Sequence, residues 1–378
     1  MRIIEAINKE TIDLKQLRKL AFTGVPDSCL GLRPVVWRIL LDGLSLETKA
    51  WRNSLEQNYL SYEDFKRELI VKPKVKQNAA DAEQQKAKMD HPLSRATESV
   101  WNTYFKDQEL WDEIEKDVKR TRSDMNFFYL ALDAERCKSA ADLTRLNRQH
   151  DTKKADLKPA DIEGYLETHA DVLHRILFIY AKLNPGVKYV QGMNEVLAVL
   201  YFCFLKDDDA SNPVVGHKYL ESDLFFNFSN LMIELRDGFL RELDKEKSGI
   251  QGRIKQYAEI MKVVEPHAYH TIEQNQVNHQ FYSLRWFMLL LCQEFTMAQS
   301  IRLWDTLLTD PQRFQFTNFV CVALVSFVRD EIIDGDFACC MENLQKAHEF
   351  VPEISDLLNK TNEICVAYNR HEESYTIG

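Results

Sequence analysis

The sequence predicts an all-α protein, and three observations carry that reading. Apolar residues recur at three- and four-residue spacing over most of the 378 residues, as they do in helices with one buried face. No convincing run alternates apolar and polar residues between hairpin turns. Glycine supplies only 12 residues, well under the roughly 7% of ordinary usage, which leaves few sites for tight turns and favours long helices.

Taken in order, "LSLETKAWRNSLEQNYLSYEDFKREL" predicts a helix over 44–69. In "DVLHRILFIYAKL", over 171–183, residues Val172, Leu173, Ile176, Leu177, Tyr180 and Leu183 share one wide apolar face. Further helices are predicted from "VLAVLYFCFL" at 196–205, "DLFFNFSNLMIELRDGFLRELDK" at 223–245, "SLRWFMLLLCQEF" at 283–295, "AQSIRLWDTLLT" at 298–309 and "FTNFVCVALVSFVRDEII" at 316–333. Residues 72–98 and 135–160 lose the pattern and become polar and charged, so they read as surface insertions in a single helical domain. No fixed period announces a solenoid.

The net charge of −10 argues against nucleic acid as the main ligand, because duplex binding draws on clustered Lys and Arg. The eight cysteines (Cys29, Cys137, Cys203, Cys292, Cys321, Cys339, Cys340 and Cys365) are scattered, mostly in apolar stretches and without CxxC spacing. Reduced thiols in a cytoplasmic protein are the expectation. The opening "MRIIEAINKETIDL" carries Glu5, Glu10 and Asp13 where a signal or transit peptide would not. The longest apolar runs fall short of the roughly 18 residues of a spanning helix, and no prenylation cysteine ends the chain. Contact with a membrane is therefore expected only through a partner. In "EPHAYHTIEQNQVNHQ" the spacing of His267, His270, Glu273 and His279 permits a metal site. Without HExxH or a cysteine partner, surface or capping roles are expected there, and no metal.

Two short segments carry the chemistry. In "IEKDVKRT" (114–121), Asp117 and Arg120 stand three apart on one helix face, so the carboxylate can aim the guanidinium. In "YVQGMN" (189–194), Gln191 sits at a loop-to-helix junction beside Gly192, which lets a foreign surface approach the backbone. An exposed Arg and an exposed Gln are the two side chains needed to finish an incomplete phosphate-hydrolysis site: one neutralises charge on the phosphoryl oxygens, the other orients the attacking water. The chain has no G-x-x-x-x-G-K-[ST] loop, so phosphate and magnesium would have to be held by the partner.

These segments resemble the IxxDxxR and YxQGMN signatures of the TBC domain, the GTPase-activating domain for Rab GTPases. Upstream, "GVPDSCLGLRPVVWRILL" with Arg33 and Trp37 resembles the opening of that family; downstream, "SLRWFMLLLCQEF" and "IRLWDTLL" with Arg285, Trp286, Trp304 and Asp305 resemble its later helices. The resemblance spans about residues 20–335 in the correct order, leaving a lead-in helix at 1–19 and a helical tail at 336–378. It implies an all-α fold and a GTP-loaded Rab as partner, with GTP and Mg²⁺ bound by that Rab and no cofactor of the chain's own. It also implies peripheral recruitment to membranes through the lipidated Rab and a role in vesicle trafficking.

Residue by residue, the resemblance makes Arg120 the arginine finger and Gln191 a glutamine finger supplied in trans. Asp117, Thr121, Tyr189, Gly192, Met193 and Asn194 support them, with Asn194 bonding the backbone near Gln191. The family often follows its arginine with Thr-x-Pro, whereas here "RTRSD" puts Ser123 at the proline position and a second arginine, Arg122, beyond Thr121. Only Arg120 has Asp117 one turn before it, which marks it as the finger. Arg33, Trp37, Trp286, Trp304 and Asp305 read as structural, and Arg285 stands between that role and support of the catalytic loop. The other reading of the chain is a scaffold of the same fold that binds GTP-loaded Rab without accelerating hydrolysis.

Overall fold

A computed structural model describes residues 2–29, 31–69, 100–132, 167–206, 217–239 and 249–376. The polar stretches 72–98 and 135–160 lie outside the described residues. Among the described residues there are fifteen α-helices and no strand, only isolated bridges pairing Thr11 with Glu47 and Ala131 with Thr168. The helices are α1 (Arg2–Ile7), α2 (Leu14–Ala21), α3 (Leu32–Leu40), α4 (Trp51–Leu69), α5 (Val100–Val118), α6 (His169–Leu183), α7 (Met193–Lys206) and α8 (Leu220–Phe239). They continue as α9 (Ile250–Val264), α10 (Pro266–Gln274), α11 (Gln280–Met288), α12 (Met297–Leu307), α13 (Phe316–Ile332), α14 (Phe337–Gln345) and α15 (Ile354–Thr376). The chain divides into two compact units, one of Met1–Leu55 with Glu195–Gly378 and the other Glu56–Asn194. No helix among the described residues is long and apolar enough to cross a membrane.

The larger unit is built around α13, whose Val320, Cys321, Val322, Ala323, Leu324 and Val325 are all fully buried. A helix apolar on every side must be surrounded, and α9, α10, α14 and α15 pack against it. Each buried Val or Leu contributes about 1.5–3 kcal/mol. Near the start of this unit, the buried Asp305 carboxylate accepts from Arg33 Nε (3.1 Å), Trp37 Nε1 (2.8 Å) and the Val25 N–H (2.8 Å). The Trp37 and Trp304 rings lie 5.8 Å apart. Arg33, Trp37, Trp304 and Asp305 thus tie α3 to α12, and Trp286 is buried on α11. The described cysteines are free thiols.

The sequence pattern extends the helix at 283–295 further than the chain does. Helix α11 ends at Met288, and Leu290 and Leu291 adopt φ of 45° and 61°. These side chains are fully buried, and the Leu290 carbonyl accepts from Trp304 Nε1 at 3.0 Å. Tertiary packing outweighs the roughly 1–2 kcal/mol cost of a left-handed residue here. At the other end of the chain, the helix predicted from residue 44 begins at Trp51, after a 3₁₀ turn at Thr48–Ala50, and Trp51 Nε1 donates to the Ser45 carbonyl at 2.7 Å.

In the smaller unit α5 packs on α6. The Trp111 ring lies 3.9 Å from the His174 ring and 5.0 Å from Phe178. His174 Nε2 donates to the Trp111 carbonyl at 3.0 Å, and Lys182 pairs with Asp107 at 2.6 Å. Helix α6 starts in a capping box, in which Thr168 Oγ1 accepts from the Asp171 N–H and Asp171 Oδ2 accepts from the Thr168 N–H. It stops at Asn184, whose Nδ2 donates to the Tyr180 carbonyl at 2.8 Å, because Pro185 follows and disfavours helical backbone before it. The turn after Pro185 leads directly into the loop that carries Gln191.

Candidate functional site

Both signature segments fall within the unit Glu56–Asn194. Helix α5 ends at Val118, and the Arg120 and Thr121 N–H groups close the following turn on the Asp117 and Val118 carbonyls, both at 3.1 Å. Arg120 therefore stands just past the helix end. Its side chain is 59% exposed, whereas Asp117 is buried at 8%. Arg120 Nη2 donates to Asp117 Oδ1 at 2.5 Å, and the guanidinium makes no other hydrogen bond among the described residues. One corner of the fork is fixed and the rest is left for another acceptor.

The other carboxylate oxygen is taken from the opposite segment. Tyr189 OH lies 2.7 Å from Asp117 Oδ2 and 3.2 Å from Asn194 Oδ1, and its single proton goes to the nearer, charged acceptor. Burial, followed by the hydrogen bond to Asp117, pushes the Tyr189 phenol far above its ordinary value, so it stays a donor.

Asn194 completes the arrangement. Its Nδ2 donates to Thr121 Oγ1 (2.8 Å) and to the Asp117 carbonyl (3.3 Å), while its Oδ1 accepts from the Gly192 N–H (3.2 Å). Thr121 Oγ1 in turn donates to the Asp117 carbonyl at 3.1 Å. Thr121 and Asn194 are both buried.

Gln191 behaves differently from its neighbours. It is exposed, and its side-chain amide has no hydrogen-bond partner among the described residues, so it does not cap α7. Gly192 has φ of 101°, a backbone region open to glycine and costly for other residues. Met193 is fully buried, and its sulfur accepts from the Val190 N–H at 3.4 Å. An exposed, unpartnered amide thus sits on a backbone held on one side at Val190 and on the other at Gly192.

The second arginine is buried. Arg122 is 7% exposed with φ of 45°, which leaves Arg120 as the outward-facing guanidinium of the pair. Arg285 belongs to the other unit, where its fork holds the buried Glu294 through Nε (2.6 Å) and Nη2 (3.0 Å). Burial raises the Glu294 pKa, but the bonds from His348 and Arg285 outweigh it and hold the carboxyl below its usual range. Among the histidines once eligible as metal ligands, His279 Nδ1 lies 2.6 Å from Tyr282 OH and its Nε2 3.2 Å from Glu273, while His270 pairs with Gln274. No group of three potential metal ligands gathers among the described residues.

One residue beside the site has no motif to mark it. Tyr129, at the end of a 3₁₀ turn, donates from its hydroxyl to the Lys119 carbonyl at 2.5 Å and so secures the backbone immediately before Arg120. Nothing in "NFFYL" announces that contact. An orphan carbonyl at the end of α5 is the only local reason for it.

An all-helical chain with this paired constellation defines a class, and comparison with known proteins gives it a name: the chain belongs to the Rab-GTPase-TBC domain family, whose profile matches residues 148–333. It is 35% identical to TBC1 domain family member 13 of Homo sapiens over 95% of this chain and 96% of that one. A TBC domain-containing protein of Schizosaccharomyces pombe is 28% identical, with 94% of this chain and 71% of that protein aligned. The crystal structure of the Ypt/Rab-GAP domain of Gyp1p shares the fold, with a TM-score of 0.68 at 21% identity, covering 98% of this chain and 99% of that one.

Proposed function

We propose that this chain is a GTPase-activating protein for a Rab-family small GTPase, acting on the GTP-loaded partner with Arg120 and Gln191 as its two catalytic groups. The observation that carries the reading is the pairing of an exposed, aimed guanidinium with an exposed, unpartnered amide in one compact unit. In this mechanism the partner holds GTP and Mg²⁺. Arg120, steadied at Nη2 by Asp117, offers its remaining N–H groups to the phosphoryl oxygens as negative charge shifts toward the leaving group. The Gln191 carbonyl accepts from the attacking water while its NH₂ faces the γ-phosphate. The water oxygen bonds to the γ-phosphorus as the bridging oxygen departs with GDP, and the proton that the water gives up ends on the released phosphate. Gln191 takes over the task of the GTPase's own glutamine.

An arginine finger is worth ~10³ to 10⁵ in rate, equal to about 4 to 7 kcal/mol of transition-state stabilisation. The lipid anchor of the partner brings the protein to a membrane, which fits a peripheral, cytoplasmic role in vesicle trafficking. Relatives named as Rab-GAP or TBC proteins support the assignment. The test is GTP hydrolysis by a panel of purified Rab proteins in the presence of the chain. Acceleration of at least one is expected; binding of GTP-loaded Rab without acceleration of any would make the protein a scaffold.

A further inference from the structure

We propose that Asn194 is a positioning residue that couples the two finger segments, so that Arg120 and Gln191 are held as a single unit; this rests on the reading of both as groups supplied to a GTPase. A primary amide has two N–H donors and a carbonyl acceptor, and Asn194 spends them on opposite sides. Both donors go to the arginine segment, at Thr121 Oγ1 (2.8 Å) and the Asp117 carbonyl (3.3 Å). The acceptor receives the Gly192 N–H (3.2 Å) on the glutamine segment. Thr121 is the chain neighbour of Arg120, and Gly192 is the chain neighbour of Gln191. Asn194 thus grips the residue beside each finger and neither finger itself.

The geometry leaves little slack. Asn194 is 3% exposed, so water does not replace a lost partner, and an unmade bond there is costly. Thr121 is fixed by its own bond to the Asp117 carbonyl, so Asn194 docks against a rigid acceptor. A second bridge, Tyr189 to Asp117, ties the same two segments about the carboxylate that aims Arg120. Removing the amide bond on the arginine side is therefore felt on the glutamine side.

Thr121→Val tests this in the full chain, because it keeps the side-chain shape and removes the hydroxyl that Asn194 bonds, while Thr121→Ser keeps the hydroxyl. Amide hydrogen exchange over the segment containing Gly192 is expected to quicken about tenfold in Thr121→Val, through easier local opening, and to return to the wild-type rate in Thr121→Ser. In GTP hydrolysis by the stimulated Rab, Thr121→Val is expected to lower kcat about 10- to 100-fold, the scale of small misplacements, with KM within about twofold. Unchanged exchange at Gly192 in a Thr121→Val protein of wild-type helicity would overturn the coupling, as would a loss confined to KM. The exchange result holds whether or not any Rab is accelerated, so failure of the coupling is distinguished from failure of the proposed activity.

Discussion

The Tyr189 hydroxyl donates to Asp117 Oδ2 at 2.7 Å, while the other oxygen of the same carboxylate receives Arg120 at 2.5 Å. One buried acid thus holds an exposed guanidinium on one side and is itself held by the neighbouring motif on the other. Tyr189→Phe removes a hydrogen bond to a charged acceptor in a buried place. A loss of about 1.5–3 kcal/mol is expected, measurable by urea denaturation. A fall in stimulated hydrolysis should accompany it, because Arg120 loses a fixed anchor.

Arg120→Ala should separate activity from stability. The side chain is mostly exposed and makes one ion pair, worth about 0–1 kcal/mol. Its melting temperature should stay near that of the wild type while stimulated hydrolysis falls by ~10³ or more. A large drop in stability with activity retained would assign Arg120 to the fold instead.

How much of this was legible beforehand depends on distance along the chain. Asp117 and Arg120 are three residues apart, and their contact follows from helix geometry alone. Gln191 stands out in a six-residue motif. Tyr189 and Asp117 are 72 positions apart, so no local pattern pairs them, and the same holds for Asn194 with Thr121. The break after Met288 was hidden because its cause, the Trp304 bond to Leu290 and burial of Leu290 and Leu291, lies in tertiary packing. A run of apolar residues looks the same whether the chain coils on or turns. Arg122 was hidden for the same reason, since burial is not written in "RTRSD".

A pH dependence follows from His174. Burial outweighs its bond to the Trp111 carbonyl and lowers its pKa from 6.5 to about 3 in the folded protein. The folded state therefore favours the neutral ring. Its contribution to stability is complete above pH 6.5 and is lost as pH falls from there toward 3, with a slope approaching about 1.4 kcal/mol per pH unit. Urea denaturation at about pH 7 and about pH 5 checks this, and His174→Gln, which can still donate to the carbonyl, should flatten that component.

The ion pair Arg38–Asp223 gives a prediction for the other unit. Both side chains are 1% exposed, Arg38 Nε meets Asp223 Oδ2 at 2.5 Å, and the guanidinium lies 4.0 Å from the Phe204 ring centre. Asp223→Ala leaves a buried charge without its counter-ion. A destabilisation of about 3–5 kcal/mol is expected, to be read from chemical denaturation.

The central claim is that both catalytic side chains come from this chain, and single-turnover GTP hydrolysis by a responsive Rab whose own catalytic glutamine has been replaced by alanine tests it most directly. The account predicts that the wild-type chain still accelerates this Rab strongly, and that Arg120→Ala and Gln191→Ala each abolish the acceleration. Loss of acceleration on replacing the Rab glutamine, with Gln191→Ala as active as wild type on the unaltered Rab, would contradict it.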